Sequence, residues 1–345
     1  MYKRLSYILL LMLVASCSKN YTGYVPDDPL TFSAVASHSV KSIITTTNYP
    51  LDEPFVVEAV YYPNGLDKPG NPFMSGEKVD YFFEDAIWKP YHEYFWPEKG
   101  MLVFYAGSPI LPQVTVDPEY GVEADWAIPS DEDTQTDLCF AKASEDCSKH
   151  PSAVPIVFNH ALSQICFKAR TQKNLSYSRT EDNMIQANVI TVVLDSVKVR
   201  GIVSKGHFSQ VPLGWTLDPS ETAEYVVFRS DEGLELHTDR YESPILYPLS
   251  TKLLIPQELS ADAELEEWHH FNVRTSITDA TTKEIVSDMT YSVPGSTVTS
   301  LASCCKEWRM DYKHTFRITV GTEKTDLAMA TTVWTETKEL IIGDE

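Results

Sequence analysis

Cysteine, histidine and carboxylate side chains would carry any chemistry in this chain, so their spacing comes first. Cys139, Cys147, Cys166, Cys304 and Cys305 follow Cys17, and these five cannot all pair within one chain. Cys139 and Cys147 are spaced to close a short loop in an oxidising compartment. The vicinal Cys304–Cys305 pair is a poor structural bridge, and most of the five read as small buried or loop residues. No Cys-x-x-Cys occurs, which leaves a zinc ribbon or thioredoxin-type site unsupported. Asp131, Asp133 and Asp137, in DEDTQTD, have the beginnings of a calcium loop. Thr136 stands where that loop needs glycine, and Lys142 where it needs a bidentate glutamate. The stretch therefore reads as a solvated acidic loop. His269 and His270 are neighbours, and on a strand neighbours face opposite ways and cannot share a metal. The reading assigns no metal and no cofactor. Nucleophile-elbow, zincin, phosphate-loop and dinucleotide motifs are all missing, so no enzyme is expected.

The stretch Trp88 to Tyr105 (WKPYHEYFWPEKGMLVFY) offers aromatic faces on which a sugar would stack. It also runs strand, turn, strand and ends in an apolar segment, so core packing is the favoured reading.

Charge narrows the partners. The 345 residues include 28 basic and 49 acidic side chains, a net charge of −21. Nucleic acid is excluded as a partner, because phosphate contacts need clustered Lys and Arg. Apolar residues make up 43%, enough for a real core, and a length near 330 beyond the leader fits two domains.

Residues 1–16 read as a signal peptide, with Lys3 and Arg4 ahead of an apolar run too short to span a bilayer. Val14-Ala15-Ser16-Cys17 resembles the bacterial lipobox. Cys17 is therefore the expected lipidation site, carrying acyl chains such as palmitate that hold the protein at a membrane. Residues 17–29 are polar with two prolines and serve as a tether.

The elements behind these residues are strands. Leu30, Phe32, Ala34 and Ala36 alternate with polar neighbours. Pro54–Tyr62 is almost continuously apolar, and Met101–Ala106 reads as buried on both faces. Phe271, Val273, Thr275 and Ile277 match Met289, Tyr291 and Val293 across a turn at Asp279–Glu284. Ser230–Gly233 predicts a second hairpin turn between Val226/Phe228 and Leu234/Leu236. Ala161–Ala169 and Tyr312–Val320 are further strands. Leu259–His270 reads as a short acidic helix or a loop, Asp117–Asp137 as a long surface loop, and Gln172–Asn188 as a loop or linker. Many short strands with turns between them imply all-β sandwiches, with a boundary near residue 155.

With these segments in order, the chain resembles the fimbrillins of Bacteroidia, which build type V pili. The matching phrases are the leader ending at Cys17, Leu30–Ala34, Lys41 in SVKSIITTT, and Phe55–Tyr62. Trp88, Tyr94–Pro97 and Leu102–Ala106 come next, followed by Phe158–Ala169 (FNHALSQICFKA), Leu253–Gln257, Trp308 and Val333–Trp334. Lys41 departs from the arginine usual at its position, and Arg309-Met310-Asp311 follow Trp308 where glycine is common.

The resemblance implies two tandem, Greek-key, transthyretin-like β-sandwich domains, here residues 30–155 and 156–345. It implies a structural or accessory subunit (stalk, tip or anchor) of a fimbria. Such a subunit is exported as a lipoprotein to the cell outer membrane and exposed at its surface. There a protease cut, for which Lys41 is the candidate, frees the first strand. A neighbour's C-terminal strand then replaces it, and Val333, Trp334, Thr335, Leu340, Ile341 and Ile342 are the candidate donor residues. The implied partners are other fimbrial subunits, in a homo- or heteropolymer, the outer membrane through the lipid on Cys17, and a host or bacterial surface ligand. The competing expectation is a surface glycan-binding lipoprotein of a polysaccharide-uptake system. Trp88, Tyr94 and Trp96 discriminate: exposed and coplanar favours the glycan binder, buried favours the pilus subunit.

Overall fold

The computed structural model describes residues 28–36, 49–172, 177–179, 185–187, 190–239, 243–259, 270–279, 282–294, 299–300, 307–321 and 325–334. Among these residues the structure is β throughout, apart from three-residue 3-10 turns at Glu132–Thr134 and Cys147–Lys149. Most of the stretch expected as an acidic helix or loop, 260–269, lies outside them, as do Cys304 and Cys305.

The first half supplies β1 (Phe32–Ala36), β2 (Phe55–Tyr62), β3 (Asn71–Phe82), β4 (Ile87–Pro90), β5 (Met101–Ser108), β6 (Val114–Asp117), β7 (Gly121–Ala127), β8 (Cys139–Asp146) and β9 (Val154–His160). Seven of these close on themselves in the order β1-β4-β3-β2-β5-β8-β9. β1 lies beside β4 rather than β2, which is Greek-key order. Alternate inward residues of β2 and β5 (Phe55, Val57, Ala59, Leu102, Phe104, Ala106) fill the core between the layers. β5 is buried on both faces, as its apolar run predicts, because β6 and β7 cover its outer side.

The second half adds β10 (Ser163–Thr171), β11 (Tyr177–Arg179), β12 (Ile185–Ala187), β13 (Ile190–Val203), β14 (Lys205–Gln210), β15 (Leu213–Leu217), β16 (Thr222–Leu236), β17 (Tyr247–Leu254), β18 (His270–Asp279), β19 (Ile285–Pro294), β20 (Thr299–Ser300), β21 (Tyr312–Val320) and β22 (Thr325–Val333). Two sheets, ordered β17-β10-β21-β22-β20 and β16-β13-β18-β19, share a core that includes Phe167, Phe271 and Phe316. The β18–β19 hairpin has the expected register, with Phe271, Val273 and Thr275 opposite Val293, Tyr291 and Met289. β11 and β12 pair with each other inside the stretch expected as loop or linker.

Two expectations are corrected. Asp117–Asp137 is not a surface loop: β7 runs through it with Val122, Ala124 and Trp126 buried. The acidic residues Glu123 and Asp125 hide this alternation in the sequence because they occupy its outer face. β7 pairs with β14, about eighty residues away, in a sheet ordered β15-β14-β7-β6. Gln210 clamps the junction, accepting from Val122 N–H at 2.9 Å and donating to the Ala141 carbonyl at 3.2 Å. Trp126, Ile128, Leu138 and Phe140 accordingly pack into the second core.

Ser230–Gly233 is not a hairpin turn either. β16 continues through it, and the register steps from Leu194–Leu234 to Ser196–Arg229, so these four residues bulge opposite Asp195. Gly233 has φ +73°, and a Cβ there would lie 2.2 Å from Val193 Cγ1.

Candidate functional site

β1 is the element on which a strand-exchange role turns. Its alternation puts Leu30, Phe32 and Ala34 into the core and Ser33 in solvent. The Phe32 ring meets Phe55 and Phe104 edge-on, at centroid distances of 6.2 and 5.8 Å. One edge of β1 is registered on β9, in parallel, over Phe32–Ala36 opposite Val154–Phe158. The other edge meets β4 only at Phe32–Trp88. Ahead of the strand, Leu30 N–H donates to the Tyr94 carbonyl at 2.7 Å and Trp96 N–H to the Asp28 carbonyl at 3.2 Å. β1 is thus a short strand that, with Leu30 just ahead of it, closes the gap between β4 and β9 with three core side chains. After the undescribed residues 37–48 the chain resumes at buried Tyr49, stacked on Phe158 at 4.6 Å and donating to Ser108 Oγ at 2.6 Å. Burial pushes the Tyr49 phenol up from its ordinary pKa.

The aromatic residues expected to discriminate between pilus subunit and glycan binder are not a platform. Trp88 and Trp96 are 4% and 3% exposed. Trp96 stacks on His150 at 4.3 Å. Tyr94 is half-buried, and its hydroxyl donates to Glu77 Oε1 at 2.8 Å. Burial and the Glu77 carboxylate push its pKa up to about 12.

At the other end, Val333 is the last registered residue of β22, opposite Tyr312. Trp334 is buried, its N–H donates to the Asp311 carbonyl at 3.2 Å, and its ring stacks on His160 at 3.8 Å. Both residues are therefore packed within their own chain, Val333 on β21 and Trp334 against the end of β9. Cys17, Lys41, Thr335, Leu340, Ile341 and Ile342 lie outside the described residues.

His160 belongs to a group that sequence reasoning missed. Cys139 and His160 are register partners between β8 and β9, and Asp137 precedes Cys139 by two residues. Cys139 Sγ lies 3.4 Å from Asp137 Oδ2 and 3.8 Å from His160 Nδ1. His160 Nδ1 also makes a short contact with that same carboxylate oxygen. Asp137 Oδ1 is buried without a hydrogen-bond partner. The group opens on a cavity of about 350 Å³, lined also by Ala36, Tyr49, Glu53 and Phe158. Burial, then the Asp137 carboxylate, holds the Cys139 thiol well above its ordinary pKa. An activated nucleophile needs the reverse. Thiol and carboxylate also meet the same ring nitrogen, whereas a relay uses both. The one trace in the sequence was Asp137-x-Cys139, the spacing that puts two side chains on one side of an extended backbone.

The loop that Cys139 and Cys147 could have closed is not formed: Cys139, Cys147 and Cys166 are free. Cys139 and Cys147 stand at opposite ends of β8, roughly 26 Å apart at about 3.3 Å per residue, against a limit near 7 Å for a bridge. Cys147 is buried, chiefly for which its thiol is pushed up to about 12.

A family model described as fimbrillin-like matches residues 59–334. A crystal structure of a fimbrial protein from Bacteroides vulgatus is similar, with a TM-score of 0.58 at 14% identity, covering 88% of this chain and 99% of that one. Another, of a protein from Bacteroides uniformis described as a candidate cell adhesion protein, has a TM-score of 0.51 at 13% identity. It covers 90% of this chain and 100% of its own. Among curated proteins none matches. At such identities the two structures speak for the fold alone.

Proposed function

This chain belongs to the fimbrillin-like family, and we propose that it is a structural or accessory subunit of a cell-surface fimbria, assembled by strand exchange. The observation that carries the proposal is the seat of β1. Leu30, Phe32 and Ala34 are buried, while the segment's backbone is registered along β9 over Phe32–Ala36 and on its other edge meets Trp88 at Phe32 and residues 94–96 through residues 28–30. Loss of β1 would leave a groove between β4 and β9, with open N–H and C=O groups and three apolar pockets about 7 Å apart. A neighbour's strand with apolar residues at alternate positions fills such a groove, and each Leu- or Phe-sized pocket refilled is worth about 1.5–3 kcal/mol.

In this reading Cys17 carries the lipid that takes the precursor to the outer membrane, and a cut after Lys41 releases β1. The candidate donor residues are Val333, Trp334, Thr335, Leu340, Ile341 and Ile342, of which Val333 and Trp334 pack within their own chain in the monomer. Leu340 and Ile342, two positions apart in the sequence, supply the apolar side chains at alternate positions that such a groove requires. The two sandwich units are residues 30–155 and 156–345 in outline, with β9 carrying the first barrel on to His160 and β6 and β7 joining β14 and β15 in a separate sheet. Partners are other fimbrial subunits, the membrane through Cys17, and a surface ligand. The role is non-enzymatic. Burial of Trp88 and Trp96 removes the sugar platform on which the glycan-binding alternative rested.

The test is assembly in vitro. Chain starting at Ser18 is digested with trypsin, incubated, and viewed by electron microscopy beside undigested chain and a Lys41→Ala variant. Fibres only after cleavage support strand exchange. Fibres from uncut Lys41→Ala, or a cut chain that stays monomeric, refute it.

A further inference from the structure

We propose that Asp137, Cys139 and His160 form a binding site for a borderline-soft divalent cation of the zinc class, at the base of the cavity beside β1. The three donor atoms all lie within 4.8 Å of one another. With metal–ligand bonds of about 2.0–2.3 Å, tetrahedral angles place sulfur about 3.5 Å from the nitrogen and oxygen ligands. The separations here are 3.4 Å from sulfur to oxygen and 3.8 Å from sulfur to nitrogen. Only the His160–Asp137 contact must open, by less than about 1 Å, to reach the 3.3 Å expected between nitrogen and oxygen.

Three further observations point the same way. Thiol and carboxylate converge on one imidazole nitrogen, which defines a point for an ion. The other oxygen of that carboxylate, Asp137 Oδ1, is buried with no hydrogen-bond partner, so the carboxylate is under-satisfied and a nearby cation would favour its charged form. The cavity lies open beside the trio, with room for a water as fourth ligand. The donor set is mixed sulfur, nitrogen and oxygen, which suits zinc and not calcium or magnesium.

Binding displaces the Cys139 thiol proton to solvent, so affinity rises with pH. Any proton that His160 Nδ1 shares with the Asp137 carboxylate must also leave that nitrogen, which then faces the ion. Cys139 and His160 are fixed by the β8–β9 pairing, and Trp334 stacks on the imidazole. The cation therefore ties the first sandwich to the point where β22 ends, and stiffens the place from which a donor segment would leave. That consequence rests on the fimbrial reading, whereas the site does not.

The experiment uses chain from Ser18 onward, stripped with chelator and titrated with Co(II) and then Zn(II). The expected result is one equivalent of Co(II) with a near-ultraviolet thiolate charge-transfer band, displaced by Zn(II), which raises the melting temperature. Cys139→Ser should abolish the band. His160→Ala should lower Zn(II) affinity at least about 100-fold, since even outer partners of metal ligands are worth 10–100-fold. A Cys304→Ser/Cys305→Ser double variant should bind like the parent. Should Cys139→Ser or His160→Ala fail to fold, Asp137→Asn decides by a tenfold or greater loss with the band retained. The proposal is overturned by no band at stoichiometric Co(II), a band that survives in folded Cys139→Ser, or one lost in the Cys304/Cys305 double variant. Normal fibre assembly in a chain that binds the ion would leave the site standing and remove only its link to strand exchange.

Discussion

Replacing Phe32 with alanine tests whether β1 seals the first core. The ring is 2% exposed and lies between Phe55 of β2 and Phe104 of β5, both fully buried. Phe→Ala in a core costs about 3–5 kcal/mol, the range reflecting how far the site can collapse. Collapse is limited here, because β2 and β5 are central strands paired on both sides over most of their length. Two edge-on aromatic contacts, worth about 0.5–1.5 kcal/mol each, are lost with the ring. We expect about 4 kcal/mol, read by urea unfolding followed through tryptophan fluorescence, with an unchanged m-value. Amide exchange at Val154, whose N–H donates to the Thr31 carbonyl at 2.8 Å, should accelerate as β1 opens more often. Ser33→Ala, at an exposed position of the same strand, should stay within about 0.5 kcal/mol. A loss below about 1 kcal/mol for Phe32→Ala would refute the reasoning: β1 would then not seal the core, and its removal would open no groove worth filling.

Limited trypsin digestion should remove residues up to Lys41 in one early step and leave the remainder folded, as seen by mass spectrometry; earlier cuts elsewhere would count against Lys41. Deleting residues 335–345 should leave the melting temperature within a few degrees and abolish fibres, whereas deletion from Met329 should unfold the second sandwich, because Met329 and Trp334 are buried there. His314 is buried and accepts from Arg309 N–H at 2.9 Å, and burial chiefly lowers its pKa to about 4. The unfolded chain takes up that proton near 6.5 and the folded chain only near 4. This contribution is complete above pH 6.5 and declines by about 3 kcal/mol as pH falls to 4. His314→Asn should flatten that part of the stability–pH curve, and an unchanged slope would show that another group titrates.

Period-two alternation by itself determined the all-β class and which residues face inward. The β18–β19 register could be read directly, because a short turn joins two matching patterns. β1, β2, β5 and β21 were legible for the same reason, and ordered phrases such as Phe158–Ala169 pointed to the family. Tertiary structure decided which strands are neighbours. β7 looked like an acidic loop because its outer face carries the charge, and only the open edge of β14 tells where it belongs. Ser230–Gly233 has turn chemistry, yet pairing with β13 on both sides of Asp195 turns it into a bulge. Asp137, Cys139 and His160 meet because β8 and β9 pair at one end. Alternation records which face of a strand is buried, a local property of the side chains. A strand's partner depends on which backbone edge is left unpaired elsewhere in the fold, and no run of neighbouring residues carries that.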